Sequence, residues 1–212
     1  RAKFLGADLF QQAIDPKQLK IPATHSQSGG ILHYIDDKNG LSDVWDVEFS
    51  SRTKSAPGAG LTGVDHIGHT MNYENMLSWS LFFTTLFDMK KSAIVDVVDP
   101  EGLVRSQALE TSDGKLRITL NGAETHKTMA GSFLAESSNA SVQHIAFATN
   151  DIFASAQRLE ASGFAPLPIA NNYYADLAAR FDIGDAMLER LRRQNILYDE
   201  DARGTFFQLY SR

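Results

Sequence analysis

The stretch GVDHIGHT, residues 63–70, places a histidine in a short apolar segment, and SVQHIAFAT, residues 141–149, is a near copy of it. In both copies a valine stands two positions before the histidine and an isoleucine follows it. The two histidines, His66 and His144, are 78 residues apart. An internal repeat of this kind indicates two related modules, which constrains the fold more than any local propensity does.

The first module has a strand, a helix and three further strands in its pattern. After a strand at 64–71, apolar residues recur every three or four positions from 73 to 89, as they do in an amphipathic helix. The strand-like runs that follow are 92–99, 104–111 and 115–122, and a Ser-Asp-Gly turn joins the last two. The predicted order is β-α-β-β-β.

The second module repeats the start of this order and then departs from it. A strand at 142–149 leads into a helix at 151–163, which begins at a capping Asp and ends at a Gly. The elements predicted after it are two helices in an insertion and two strands: 174–181, 185–194, 195–201 and 205–212. The fourth strand of this module is missing, so we expect the chain to end one strand short.

The predicted fold class is α+β, and the predicted organisation has three parts. Residues 1–50 are the end of a preceding module, with a closing hairpin between 21 and 37, and residues 51–62 are a linker rich in Ser and Gly. Residues 63–212 form the paired domain, with modules at about 63–122 and 141–212. We therefore expect this chain to belong to a longer protein that continues at both ends.

Composition excludes several classes of function. The chain has 212 residues and no cysteine, so it forms neither disulfides nor thiolate metal sites. Its 20 basic and 26 acidic side chains give a net charge of −6, which argues against a nucleic-acid partner. There is no apolar run long enough for a membrane span and no signal-peptide pattern, so we expect no membrane association and a cytoplasmic location.

The repeated histidines are candidates for a shared metal site. A lone histidine on a strand is usually structural, and we keep that interpretation for His25, His33, His69 and His126. His66 and His144, in contrast, occupy the same position of the same repeat, so paired modules bring their rings towards one point. Alternation along the strand puts His69 on the opposite face from His66. From the residues alone, both metal binding and core packing remain open for the pair.

The repeat also carries a family resemblance. The stretches VDHI, RSQAL, DGKLRITLNG, VQHIAFATNDI, NNYYADLAARF and NILYDEDARGTFFQLYSR resemble the C-terminal domain of 4-hydroxyphenylpyruvate dioxygenase, a member of the vicinal oxygen chelate superfamily. The resemblance covers residues 61–212 and implies paired βαβββ modules that form a half-open barrel. The chain is similar in more detail to the dioxygenase-like C-terminal half of bacterial two-domain 3-dehydroshikimate dehydratases, in which RSQALE and FFQLYSR recur almost as written.

This resemblance implies a set of site residues. It places Fe(II), or another divalent metal, on His66 and His144, with a third ligand, a Glu, expected beyond Arg212. It places Ser106, Asn121 and Gln208 in the substrate pocket, with the ring of Tyr210 near the substrate. The family often has a second pocket glutamine near Met129, which this sequence lacks, and Glu110 is interpreted as a surface residue.

Three functions follow as hypotheses. The first is an iron(II)-dependent dioxygenase of the 4-hydroxyphenylpyruvate dioxygenase type, whose small-molecule partners are a 2-oxo acid, an aryl pyruvate, and dioxygen; this chain by itself is expected to be inactive. The second is the non-dehydratase C-terminal domain of a bifunctional 3-dehydroshikimate dehydratase, with a metal-binding or regulatory role. The third is a non-catalytic dimerisation or ligand-sequestering module. We also expect self-association or association with the rest of a longer chain, because a missing strand exposes a sheet edge.

Overall fold

The structure is a computed structural model that describes residues 1–27, 30–38, 40–50, 58–99, 101–137, 141–202 and 204–211. Its strands, in chain order, are β1 (Leu9–Phe10), β2 (Ala23–His25), β3 (Ile31–His33), β4 (Leu61–Asn72), β5 (Lys90–Lys91), β6 (Val95–Asp99), β7 (Gly102–Glu110), β8 (Arg117–Ala123), β9 (Ser141–Thr149), β10 (Leu197–Asp201) and β11 (Gly204–Gln208). Its α-helices are α1 (Val44–Val47), α2 (Met76–Phe87), α3 (Met129–Glu136), α4 (Ile152–Ala161), α5 (Asn171–Arg180) and α6 (Asp185–Arg193), and single 3-10 turns span Leu41–Asp43 and Tyr73–Asn75.

One sheet of six strands organises the middle of the chain. Its strands lie in the order β5, β7, β8, β4, β9, and β6 also pairs with β7. Strand β4 runs parallel to β8, and β8 runs antiparallel to β7. The sheet is open, so the described strands do not close into a barrel, and the α+β prediction is confirmed. The first module follows the predicted β-α-β-β-β order, with β5, a strand of two residues, added between α2 and β6.

Helix α2 covers one face of this sheet because its apolar residues recur at helical spacing. Met76, Trp79 and Phe83 are each at most 3% exposed, and they pack against buried side chains of three strands. Those strand residues are Met71, Leu109, Ile118 and Leu120. The helix ends at Asp88, whose left-handed conformation (φ 57°) stops the helical hydrogen bonding. This packing fixes the pleat of β4 and therefore which residues face away from the helix.

The second module has its own core. Strands β10 and β11 form an antiparallel hairpin, and the insertion holds α5 and α6 as predicted. Side chains from three helices, from β10 and from the residue before it pack together there: Phe153, Ala156, Tyr174, Leu177, Leu191, Ile196 and Tyr198. Asp151 caps α4 by accepting hydrogen bonds from the backbone of Phe153 and Ala154, both at 3.0 Å.

The chain divides into two compact units. Of the described residues, 1–50, 64–137 and 141–146 belong to the first unit, and 58–63 with 147–211 belong to the second. The predicted linker at 51–62 lies partly outside the described residues, and strand β4 already begins at Leu61. The hairpin expected near the N-terminus is formed by β2 and β3, with β1 added at its edge. The predicted domain boundaries stay predictions.

Sequence patterns missed α3. This helix begins after Thr128, whose hydroxyl accepts a hydrogen bond from the backbone of Gly131 at 3.0 Å. Its buried residues, Ala130 and Leu134, pack against Val104 and Ala123 of the sheet. The helix therefore occupies the segment in which the second pocket glutamine of the resembling family was sought.

Candidate metal centre

Two faces of the six-stranded sheet carry different chemistry. Because paired residues point to the same side of a sheet, the register Gly68 to Thr119 and Thr70 to Asn121 places these four residues on one face. Asn121 is in turn paired with Ser106 of β7. This face, opposite to the one that α2 covers, is called the histidine face below. Its members include His66, Gly68, Thr70, Ser106, Thr119 and Asn121.

His66 and His144 meet on the histidine face. Their Nε2 atoms lie 3.3 Å apart, and their rings are nearly perpendicular, at 88°. The side chain of His66 is 13% exposed, so the ring lies mostly out of water. Burial, and after it the neighbouring His66, lower the pKa of His144, which favours the neutral imidazole that binds metals.

Gly68 makes room for the ring of His144. A Cβ atom at position 68 would lie 2.5 Å from Nε2 and 2.6 Å from Nδ1 of His144, far closer than van der Waals contact. Any larger residue would displace the ring from β4. The glycine is therefore part of the geometry that brings the two histidines together.

The nitrogen separation fits a shared metal ion. Two imidazoles bound to one ion at about 2.1 Å lie roughly 3.0–3.4 Å apart when they subtend an octahedral or a tetrahedral angle. The observed 3.3 Å falls in this range. Among the described residues, no group of three or more His, Asp or Glu side chains could hold a metal. The pair thus offers two ligands, and its role as a metal site stays a prediction.

Charged side chains surround the far side of His66. The carboxylate of Asp65 accepts a hydrogen bond from Nδ1 of His66 at 2.8 Å. Arg117 donates to both oxygens of Asp65, at 3.0 and 3.2 Å, and to Glu110 at 3.0 Å. Burial acts to raise the pKa of Asp65, but the hydrogen bond from His66 and the nearby Arg117 lower it below its usual value. These contacts were not predicted from the sequence. Glu110, which was interpreted as a surface residue, accepts a hydrogen bond from Arg117.

The two predicted pocket residues of the first unit are in contact. Ser106 donates a hydrogen bond to Oδ1 of Asn121 at 2.9 Å. In the next strand, Thr70 is fully buried, and its hydroxyl has no hydrogen-bond partner among the described residues. The hydroxyl of Thr119 is also buried and has no hydrogen-bond partner in the described part of the chain. Since buried polar groups are normally paired, these two hydroxyls mark a place for a water or a ligand oxygen.

The other two predicted pocket residues belong to the second unit. Gln208 is the last residue of β11, and Tyr210 donates a hydrogen bond to its side-chain oxygen at 3.1 Å. The neighbours of Gln208, Phe207 and Leu209, pack against the core of that unit, so alternation turns Gln208 away from this core. Burial raises the pKa of Tyr210, which keeps its hydroxyl protonated as a donor.

Two further histidines, His69 and His126, lie away from the pair. His69 lies on the opposite face of β4 from His66, and its ring centroid is 5.2 Å from that of Trp79 and 5.4 Å from that of Phe83. Burial lowers the pKa of His69 to about 4. His126 lines a cleft of about 280 Å³ with Tyr73 and Glu124, among others, and this cleft does not include His66 or His144.

The comparisons with known proteins agree with this architecture. The family model of the Glyoxalase/Bleomycin resistance protein/Dioxygenase superfamily matches residues 63–201. The chain belongs to this superfamily. The family assignment and the fold class expected from the sequence are therefore confirmed.

Individual relatives are longer than this chain. The 3-dehydroshikimate dehydratase of Pseudomonas putida is 35% identical over 212 residues, which is 100% of this chain and 33% of that protein. Its counterpart from Pseudomonas aeruginosa is 36% identical over 96% of the chain and 32% of the relative. The 4-hydroxyphenylpyruvate dioxygenase of Pseudomonas aeruginosa is 28% identical over 93% of the chain and 56% of the relative. The chain thus spans about a third of the two dehydratases.

Solved structures give the same result. A xylose isomerase-like TIM barrel/4-hydroxyphenylpyruvate dioxygenase fusion protein matches with a TM-score of 0.76 and 36% identity, over 100% of this chain and 33% of that one. A mutant of 4-hydroxymandelate synthase from Streptomyces coelicolor matches with a TM-score of 0.77 over 100% of this chain and 62% of that one. At 19% identity, the second match shows the fold alone.

The described helices were also compared with the length and hydropathy that a membrane span requires, and none of them meets both requirements.

Proposed function

We propose that this chain is the dioxygenase-like part of a longer protein that dehydrates 3-dehydroshikimate, and that His66 and His144 bind a divalent metal, Fe(II), within it. The observation that supports this proposal is the extent of the similarity to the two dehydratases, 35% and 36% identity over 100% and 96% of the chain. The dioxygenase of Pseudomonas aeruginosa is less similar, at 28%. The dehydration itself is assigned to the part of the longer protein outside these residues.

The residues of the histidine face have distinct tasks in this proposal. His66 and His144 present their Nε2 atoms to the metal, which would supply Lewis-acid chemistry by polarising an oxygen atom of a bound ligand. Ser106 donates a hydrogen bond to the side-chain oxygen of Asn121. The amide nitrogen of Asn121 can then donate to a ligand. The buried hydroxyl of Thr70 offers a further hydrogen bond on the same face.

A second candidate is iron(II)-dependent oxidation of an aryl pyruvate. It is favoured by the histidine pair, by the contact between Ser106 and Asn121, and by the similarity to 4-hydroxyphenylpyruvate dioxygenases. Against it stands the segment 124–133, which contains no glutamine and is occupied by the start of α3. In this candidate the third ligand, a Glu, comes from outside these residues.

Two assays on one preparation separate the candidates. The protein expressed from the complete gene is loaded with Fe(II) under nitrogen, and the loss of 3-dehydroshikimate and the uptake of dioxygen with 4-hydroxyphenylpyruvate are measured. We expect dehydration without oxygen uptake, and dehydration that survives in the double variant His66→Ala/His144→Ala. Oxygen uptake that disappears in the double variant would favour the second candidate, and a protein without dehydratase activity would contradict the first.

The assembly of the protein is a separate proposal. We expect either self-association or association with the rest of the longer chain, through the strand edges that flank the six-stranded sheet. Exposed apolar side chains on β9, namely Val142, Ile145 and Phe147, are between 44% and 53% accessible. Light scattering on these 212 residues, alone and mixed with the rest of the longer chain, tests this expectation, and a monodisperse monomer in both samples would contradict it.

A further inference from the structure

Two ion pairs, Asp65 with Arg117 and Arg117 with Glu110, lie beside His66, and metal binding by the two histidines does not by itself explain them. Asp65, Arg117 and Glu110 come from three different strands, and each contact between them is a hydrogen bond of 3.2 Å or less. Surface ion pairs rarely hold one geometry, because long side chains lose entropy when they are fixed. Here the three charged side chains are 35% to 42% exposed. Asp65 also contacts the ring of His66, which is only 13% exposed.

We infer that Asp65, held in place by Arg117 and Glu110, is a positioning residue that keeps the proton of His66 on Nδ1 and so leaves the Nε2 lone pair facing His144. A carboxylate can only accept hydrogen bonds, so the 2.8 Å contact requires the proton on Nδ1. The hydrogen bond at one ring nitrogen decides which nitrogen is available to a metal. This inference rests on the proposed metal-binding role of the pair.

The sheet register explains why Arg117 can hold Asp65. Strands β4 and β8 are parallel neighbours, with Ile67 opposite Ile118, so Asp65, two residues before Ile67, lies near Arg117, the first residue of β8. Arg117 is also paired with Glu110 across the antiparallel β7. The guanidinium thus bridges two carboxylates, one on each side of β8. This bridge restrains the Asp65 side chain in the orientation that its bond to His66 needs.

The atoms of Asp65 predict different effects for two substitutions. Oδ1 accepts from both His66 and Arg117, at 2.8 and 3.0 Å. In Asp65→Asn, an amide oxygen in this place still serves both donors, so the Nδ1 proton stays. In Asp65→Ala there is no acceptor, and the proton redistributes between the two nitrogens. A purely electrostatic role would instead make Asn as harmful as Ala, because both remove the charge.

The test uses the protein expressed from the complete gene, labelled with 15N in its histidine rings and free of metal, at a pH at which the rings are neutral. Long-range 1H–15N correlations identify the tautomer of His66, which is assigned from its absence in His66→Gln. We expect an Nδ1–H tautomer in the wild type and in Asp65→Asn, and a mixture in Asp65→Ala. If Asp65→Ala fails to fold, the double variant Asp65→Asn/Arg117→Met replaces it: nothing then orients the amide, and the same mixture is expected.

The affinity for Co(II), measured by titration, provides the second readout. We expect Asp65→Ala to lose about 10- to 100-fold and Asp65→Asn to keep most of the wild-type affinity. Asp96→Ala is the matched control, since Asp96 also pairs with an arginine, Arg105, at 3.7 Å. An unchanged tautomer in Asp65→Ala would overturn the inference. A wild type whose Co(II) affinity equals that of His66→Gln would overturn the proposed metal site instead, so the two failures are distinguishable.

Discussion

The ring of His144 packs directly against Gly68 and occupies the space that a side chain at position 68 would need. A Cβ atom at position 68 would lie 2.5 Å from Nε2 of His144. The two residues come from the first strands of the two modules, so the absence of a side chain on one strand is what admits the histidine of the other. The separation of the Nε2 atoms of His66 and His144 depends on this contact.

Gly68→Ala is therefore expected to separate the histidines. The added methyl group forces the ring of His144 away from β4, and we expect a loss of about 1–3 kcal/mol in unfolding free energy together with weaker Co(II) binding. Gly63→Ala, also on β4, is the control, because nothing lies within 4 Å of a Cβ there. Chemical denaturation and metal titration of both variants check this prediction, and equal behaviour of the two variants would contradict it.

His69 predicts a loss of stability on acidification. Burial lowers its pKa to about 4 in the folded protein, against about 6.5 in an unfolded chain. Its contribution to stability is therefore fully present above pH 6.5 and is lost as the pH falls towards 4, by up to about 3 kcal/mol. In His69→Phe, the aromatic contacts with Trp79 and Phe83 remain while the titrating group is gone.

Denaturant unfolding of both proteins between pH 7 and pH 4 measures this effect. We expect the wild type to lose more stability over this range than His69→Phe does. The ring of His69 also has a buried Nδ1 without a hydrogen-bond partner among the described residues, so the Phe variant is expected to be at least as stable at neutral pH. Parallel pH profiles of the two proteins would show that His69 does not carry the effect.

The start of α4 depends on Asp151. Its carboxylate accepts hydrogen bonds from two backbone groups of the first turn, so Asp151→Ala is expected to cost about 1 kcal/mol of stability. Glu160→Ala, on the exposed side of the same helix, is expected to change stability by less than about 0.5 kcal/mol. Thermal unfolding of the two variants compares these values, and a smaller loss for Asp151→Ala than for Glu160→Ala would be inconsistent with a capping role.

The elements around the histidine pair could be predicted from sequence because their patterns are local. The repeat identified β4 and β9, the spacing of Met76 and Phe83 identified α2, and turn residues separated β7 from β8. Helix α3 was missed, because Gly131 and Ser132 weaken the helical pattern and its packing against the sheet compensates for that. The contact between Asp65 and Arg117 was missed for another reason. It joins residues 52 positions apart, and only the parallel register of β4 and β8 brings them together.

The metal content of the protein expressed from the complete gene tests whether His66 and His144 form a metal site. Iron is measured after anaerobic reconstitution with Fe(II) in the wild type, in His66→Ala and in His144→Ala, with His126→Ala as the control. We expect each of the first two variants to bind about one metal ion per chain fewer than the wild type, while His126→Ala binds as many as the wild type. Equal metal content in all four proteins would contradict the claim that His66 and His144 form a metal site.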